Sequence, residues 1–117
     1  KTNLGASING SKNIVFDAPA HHYDIIVDIP NDFESIAEND NCIQSIYSAR
    51  KKIFCTQYHS ELGYDYIANL MVFWKKNYSK IINELDFDAL INSLRMKEVN
   101  DNENRLIELK NWLKLLN

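Results

Sequence analysis

The 117-residue chain sets 13 Lys and Arg against 16 Asp and Glu for a formal charge of -3, with 45% hydrophobic and 25% charged residues. That length suits one domain and that composition can bury a core, which argues against a two-domain enzyme, a disordered tail or a fibrous repeat. The acidic balance leaves no basic stripe for nucleic acid, and no apolar run approaches the roughly 18 residues needed to cross a bilayer. The two cysteines, Cys42 and Cys55, form neither a CxxC knuckle nor a disulfide framework. The chain therefore reads as soluble and cytoplasmic, with no nucleic-acid or membrane partner.

Residues 1–12 are small and polar and carry two of the three glycines, a pattern that predicts a flexible segment. Residues 13–16 read as a short strand. After the turn at Asp17-Ala18-Pro19, residues 22–29 place Tyr23, Ile25, Val27 and Ile29 on one face and His22, Asp24 and Asp28 on the other, which predicts a half-buried strand. Pro30-Asn31-Asp32 closes it. Strands are then expected over 34–38 and 42–48, joined through Asn39-Asp40-Asn41. Beyond the polar turn Arg50-Lys51-Lys52, residues 53–58 are nearly continuously apolar, the pattern of a strand buried on both faces.

From Tyr64 the apolar period lengthens from two to about 3.6. Ile67, Leu70, Met71, Trp74, Tyr78 and Ile81 share one helical stripe, with Lys75, Lys76 and Lys80 toward its C-terminal end, where cations suit the helix dipole. A second helix is expected over 86–96 with Asp86 as its N-cap, and a third over 101–116. In the third, Leu106, Leu109, Leu113 and Leu116 form a seam that Trp112 widens. The expected architecture is strands first, then helices.

The tripeptide His59-Ser60-Glu61 stands where the most apolar strand ends, and open α/β sheets bind ligands outside the carboxyl ends of their strands. A carboxylate beside an imidazole fixes its tautomer so that the ring can take a proton from Cys or Ser, although a lone histidine at a strand end is more often an ordinary surface or satisfied core residue. His21 and His22, with His59 and Glu61, are suitable zinc ligand types. Their spacing matches no HExxH arrangement, and neither a metal nor a cofactor is expected. Cys55 lies four residues before His59, roughly 13 Å along an extended chain, too far for direct proton transfer. Both cysteines read as small, buried or half-buried packing residues.

The run Ile53-Phe54-Cys55-Thr56-Gln57-Tyr58-His59-Ser60-Glu61 closely resembles the His/Glu segment of class I glutamine amidotransferases and γ-glutamyl hydrolases, where a buried strand ends in Gln, an aromatic, His, usually Pro, and Glu. Ser60 stands in place of that Pro. The similarity extends upstream through His21-His22-Tyr23, Pro30, Phe33 to Ala37, Asp40 and Cys42 to Ile46. Downstream it reaches Asn69-Leu70, so that it spans roughly residues 21–74.

The resemblance implies the C-terminal part of a flavodoxin-like α/β sheet with a small antiparallel hairpin set. Residues 13–82 form that half domain, and residues 83–117 form a helical extension. His59 is then the general base of a Cys-His-Glu triad, Glu61 orients and charge-balances it, and His22 lies at the substrate rim. The substrate is glutamine or a γ-glutamyl conjugate, cleaved through a thioester. The family's nucleophilic Cys, on a Gly-flanked turn upstream of the His, is not in this sequence, so the resemblance puts it in a missing N-terminal part or a second chain. A synthase domain receiving ammonia is a further implied partner, for which the C-terminal helices offer a contact. A degenerate, non-catalytic binding or regulatory module is the alternative.

Overall fold

The computed structural model describes residues 16–117, with the backbone alone for 100–102. Among them are three strands, β1 (Glu34–Glu38), β2 (Ile43–Ser48) and β3 (Ile53–Thr56), then three helices, α1 (Tyr64–Phe73), α2 (Lys75–Tyr78) and α3 (Glu84–Leu115). The fold is thus α/β, built on an antiparallel sheet in the order β1-β2-β3. The expected segment 1–12 and residues 13–15 of the strand expected over 13–16 lie outside the described residues. The described chain falls into two compact units, one running up to Glu61 and joined by Asn104–Asn117, the other Leu62–Glu103.

In the first unit the turn chemistry sets the hairpin. The Asn39 side-chain oxygen accepts from the amides of Asn41 and Cys42, each at 3.0 Å, an Asx turn that reverses the chain between β1 and β2. The β2–β3 turn ends on Lys52 at φ 56°, a left-handed conformation that costs an L-residue roughly 1–2 kcal/mol. β2 is the central strand, and Ser45, Ile46, Tyr47 and Ser48 are all buried.

Two strand expectations are corrected. β3 is an outer strand of this sheet rather than one buried on both faces, and Ile53 and Cys55, on one face of it, are exposed. Residues 22–29 form no strand. β3 pairs with β2 from Ser45 to Ser48, and this run makes a single isolated bridge beyond that pairing, Ile26 to Ile43, while Ala20, just before it, bridges Tyr58. Its alternating side chains stay in water, with Tyr23 88% and Val27 79% exposed.

The second unit packs around Ile67, Ala68, Met71, Phe87 and Ile91. Burial of each large side chain contributes about 1.5–3 kcal/mol. The helix expected over 64–81 breaks at Trp74, so the stripe loses register and Ile81 is 75% exposed. The two helices expected over 86–96 and 101–116 are one continuous α3, since no Gly or Pro interrupts residues 84–115.

Asp86 is not the N-cap of α3. The Asn83 side chain accepts from the Asp86 amide at 2.9 Å and donates to the Asp86 carboxylate at 2.7 Å, so Asn83 caps the helix and Asp86 sits three residues inside it. α1 has no capping side chain of its own, because residue 63 is glycine. The Glu98 carboxylate takes that place, accepting from the Tyr64 amide at 2.6 Å. A Cβ at Gly63 would stand 3.2 Å from both Glu98 carboxylate oxygens, so glycine leaves the space this carboxylate fills.

Candidate functional site

β3 ends at Thr56, and the chain leaves it through Gln57, Tyr58 and His59. The Gln57 amide still bonds the Gln44 carbonyl at 2.8 Å, while the His59 amide bonds the Pro19 carbonyl at 2.8 Å. These bonds fix the backbone from which the His59 ring projects. Its Nδ1 lies 2.8 Å from Glu61 Oε1, with the His59 side chain 34% exposed and the Glu61 side chain 57% exposed.

A carboxylate only accepts, so Nδ1 carries the proton in this bond. Nε2 is then the basic nitrogen, with its lone pair available. No bond to Nε2 is present among the described residues. The arrangement can accept a proton at Nε2 and stabilise the resulting imidazolium through Glu61.

Partial burial works to raise the Glu61 carboxyl. The His59 hydrogen bond, Glu61's own amide and the positive charges of His59 and Arg105 outweigh it, so the group is held below the ordinary glutamate range. A carboxyl lower in the fold than in the unfolded chain stabilises the fold above its unfolded value, and that contribution disappears as pH falls through the folded one. In a carbon-detected titration, Glu61 should therefore ionise below the ordinary glutamate range. His59→Ala should move its midpoint up; a midpoint that starts in the ordinary range and does not move would rule the bond out.

The other expected site residues lie apart from this pair. The His22 ring is exposed, with Nδ1 2.8 Å from the Asp24 carbonyl, to which the Gln57 side-chain amide also donates at 3.0 Å. This places the 22–24 segment against the Gln57 end of the motif, with the His22 ring turned to its own backbone. Cys42 is half-buried and accepts from Gln44 at 3.0 Å, whereas Cys55 is exposed on β3, not packed as expected. Among the described residues no three His, Cys, Asp or Glu side chains converge as a metal site would require.

No protein-family model, curated protein or solved structure matches the chain. The candidate site therefore rests on the motif and the geometry.

Polar residues of α3 that carry no periodic apolar signal complete the surroundings. Arg105, 8% exposed, donates from Nη1 to the Ser60 carbonyl at 2.6 Å. Glu108, fully buried, accepts from the Tyr58 hydroxyl at 2.6 Å. Burial first, then the Glu108 charge and hydrogen bond, push the Tyr58 phenol far above its ordinary range, with the Ser45 hydroxyl pulling the other way. Tyr58 stays a neutral donor. The Trp112 indole N–H donates to the Lys52 carbonyl at 3.0 Å. Arg105 and Glu108 offered no sequence signal beyond their spacing of three on an otherwise leucine-bearing helix.

In the second unit, a concavity of about 320 Å³ is lined by Lys75, Ser79, Ile82, Asn83, Glu84 and Phe87. Its one cation is already paired, Lys75 lying 3.1 Å from Glu84 and 3.6 Å from Asp88. No helix among the described residues is long and apolar enough to cross a membrane.

Proposed function

We propose that the chain is the His/Glu-bearing part of a class I glutamine amidotransferase-like domain that hydrolyses the γ-amide of glutamine. The observation that carries this reading is the 2.8 Å bond between His59 Nδ1 and Glu61 Oε1 at the end of the Gln57-Tyr58-His59-Ser60-Glu61 motif. In this role Nε2 of His59 takes the proton of a cysteine thiol supplied from outside the chain. The thiolate attacks the γ-carbonyl carbon, the C–N bond breaks, and the imidazolium returns its proton to the leaving ammonia. Water, deprotonated by the same nitrogen, then cleaves the thioester and releases glutamate.

Neither cysteine in the chain is supported as the nucleophile. Cys55 faces Ile46 across the sheet in β3, four positions before His59 and on an extended strand. Purified chain incubated with glutamine, or with a γ-glutamyl chromogenic substrate, is therefore expected to release no product. Addition of a nucleophile-bearing part should restore turnover. Turnover by the chain alone that disappears in Cys55→Ser would make Cys55 the nucleophile. A protein that stays inactive with every such part, and binds a partner instead, would favour the degenerate regulatory module.

A further inference from the structure

The helix that the family resemblance makes an extension contributes three side chains to the segment carrying the candidate pair. Arg105, Glu108 and Trp112 stand at i, i+3 and i+7, a spacing that aligns them on one face of α3. They bind Ser60, Tyr58 and Lys52, so the order along the helix runs opposite to the order along the strand segment. Lys52 directly precedes β3, and Tyr58 and Ser60 follow it. The strand is thus held at both ends by a single helical face.

Arg105 acts on the residue between His59 and Glu61. Ser60 is 4% exposed, and its carbonyl accepts a charged donor at 2.6 Å, short enough to be a strong bond. A 2.8 Å contact between side chains two residues apart depends on the backbone torsions between them, and Ser60 has no ring to fix those torsions. Fixing the Ser60 carbonyl fixes the peptide plane that leads into Glu61. The guanidinium also adds positive charge near the Glu61 carboxylate.

We propose that Arg105 is the positioning residue of the His59–Glu61 pair, holding the Ser60 carbonyl so that the carboxylate stays on Nδ1 of the ring. The inference rests on reading His59 and Glu61 as the functional pair. Arg105 acts on the pair through the Ser60 carbonyl it holds, and its charge near the Glu61 carboxylate adds to that hold.

The test is proton NMR of the full chain at low temperature, following the hydrogen-bonded His59 Nδ1 proton. The resonance should be present in the wild type and lost in Glu61→Ala. It should also be lost in Arg105→Met, which keeps the far-ultraviolet circular dichroism of the fold, and kept at reduced intensity in Arg105→Lys, which retains charge and a donor. An unchanged resonance in Arg105→Met overturns the proposal.

Should Arg105→Met fail to fold, the wild type decides through the guanidinium nitrogens of Arg105. Separate Nη1 and Nη2 signals are expected for a held group, and a single averaged signal overturns the assignment. A wild type without the ring proton would remove the pair itself and this role with it. None of these signals requires turnover. An inactive protein with an Arg105-dependent ring proton would therefore refute the glutaminase reading alone.

Discussion

On the proposed glutaminase reading, replacing His59 by alanine is expected to lower turnover, assayed with the nucleophile-bearing part, by about three orders of magnitude or more, because nucleophile and base act as one unit. Without the imidazole the thiol has no positioned acceptor, and the departing ammonia has no positioned donor. The loss should fall on kcat more than on KM, since the ring makes its largest contribution as charge develops. Glu61→Gln should fall in between: it keeps an oxygen within reach of Nδ1 but removes the charge that stabilises the imidazolium. A loss below about tenfold in His59→Ala would end the general-base assignment.

The second large effect belongs to the buried pair beneath the site. Tyr58→Phe removes the hydroxyl that donates to Glu108 at 2.6 Å and leaves a fully buried carboxylate short of a donor. A hydrogen bond to a charged group contributes about 1.5–3 kcal/mol, so the variant should lose about 2–3 kcal/mol of a total on the order of 5–15. For a chain of this size, that lowers Tm by roughly 8–12 °C. Glu108→Gln keeps an acceptor and should cost less. The double variant Tyr58→Phe/Glu108→Leu should recover part of the loss, because it no longer buries a carboxylate that has lost its phenol donor. Denaturant unfolding measures all three, and a cost under about 0.5 kcal/mol for Tyr58→Phe would show that the bond does not hold the unit together.

The hairpin was legible because its signals are local. Asn39-Asp40-Asn41 states the turn, and β1 and β2 flank it almost where alternation puts them. The adjacency of His59 and Glu61 was legible for the same reason, two residues being a short distance in any extended chain.

Residues 22–29 misled because alternation reports an extended backbone, whereas a strand also needs a continuous ladder, and this run makes only the isolated bridge from Ile26 to Ile43. Asp86 misled because both it and Asn83 are capping types, and only the bonds tell which stands outside the helix. The stretch from Lys97 to Asn100 fell between the two expected helices. Its Glu98 is instead the cap of α1, a use that hydrophobic periodicity cannot register. Arg105 and Glu108 escaped notice for the same reason: their partners lie far back in the chain and their burial is polar.

Those separations also set a timetable. Ser60 waits for a residue 45 positions later, Tyr58 for one 50 later, and Lys52 for one 60 later. At about 5–20 residues per second, a ribosome needs ~2–9 s to make the 45 residues between Ser60 and Arg105. The hairpin β1–β2 can close within microseconds of emerging, and β3 can join it soon after. The peptide carrying His59 then hangs from a finished sheet without its last three tethers. On the proposed reading of His59, Glu61 and Arg105, the imidazole has no fixed carboxylate until then, so proton acceptance at Nε2 waits for translation to pass Arg105.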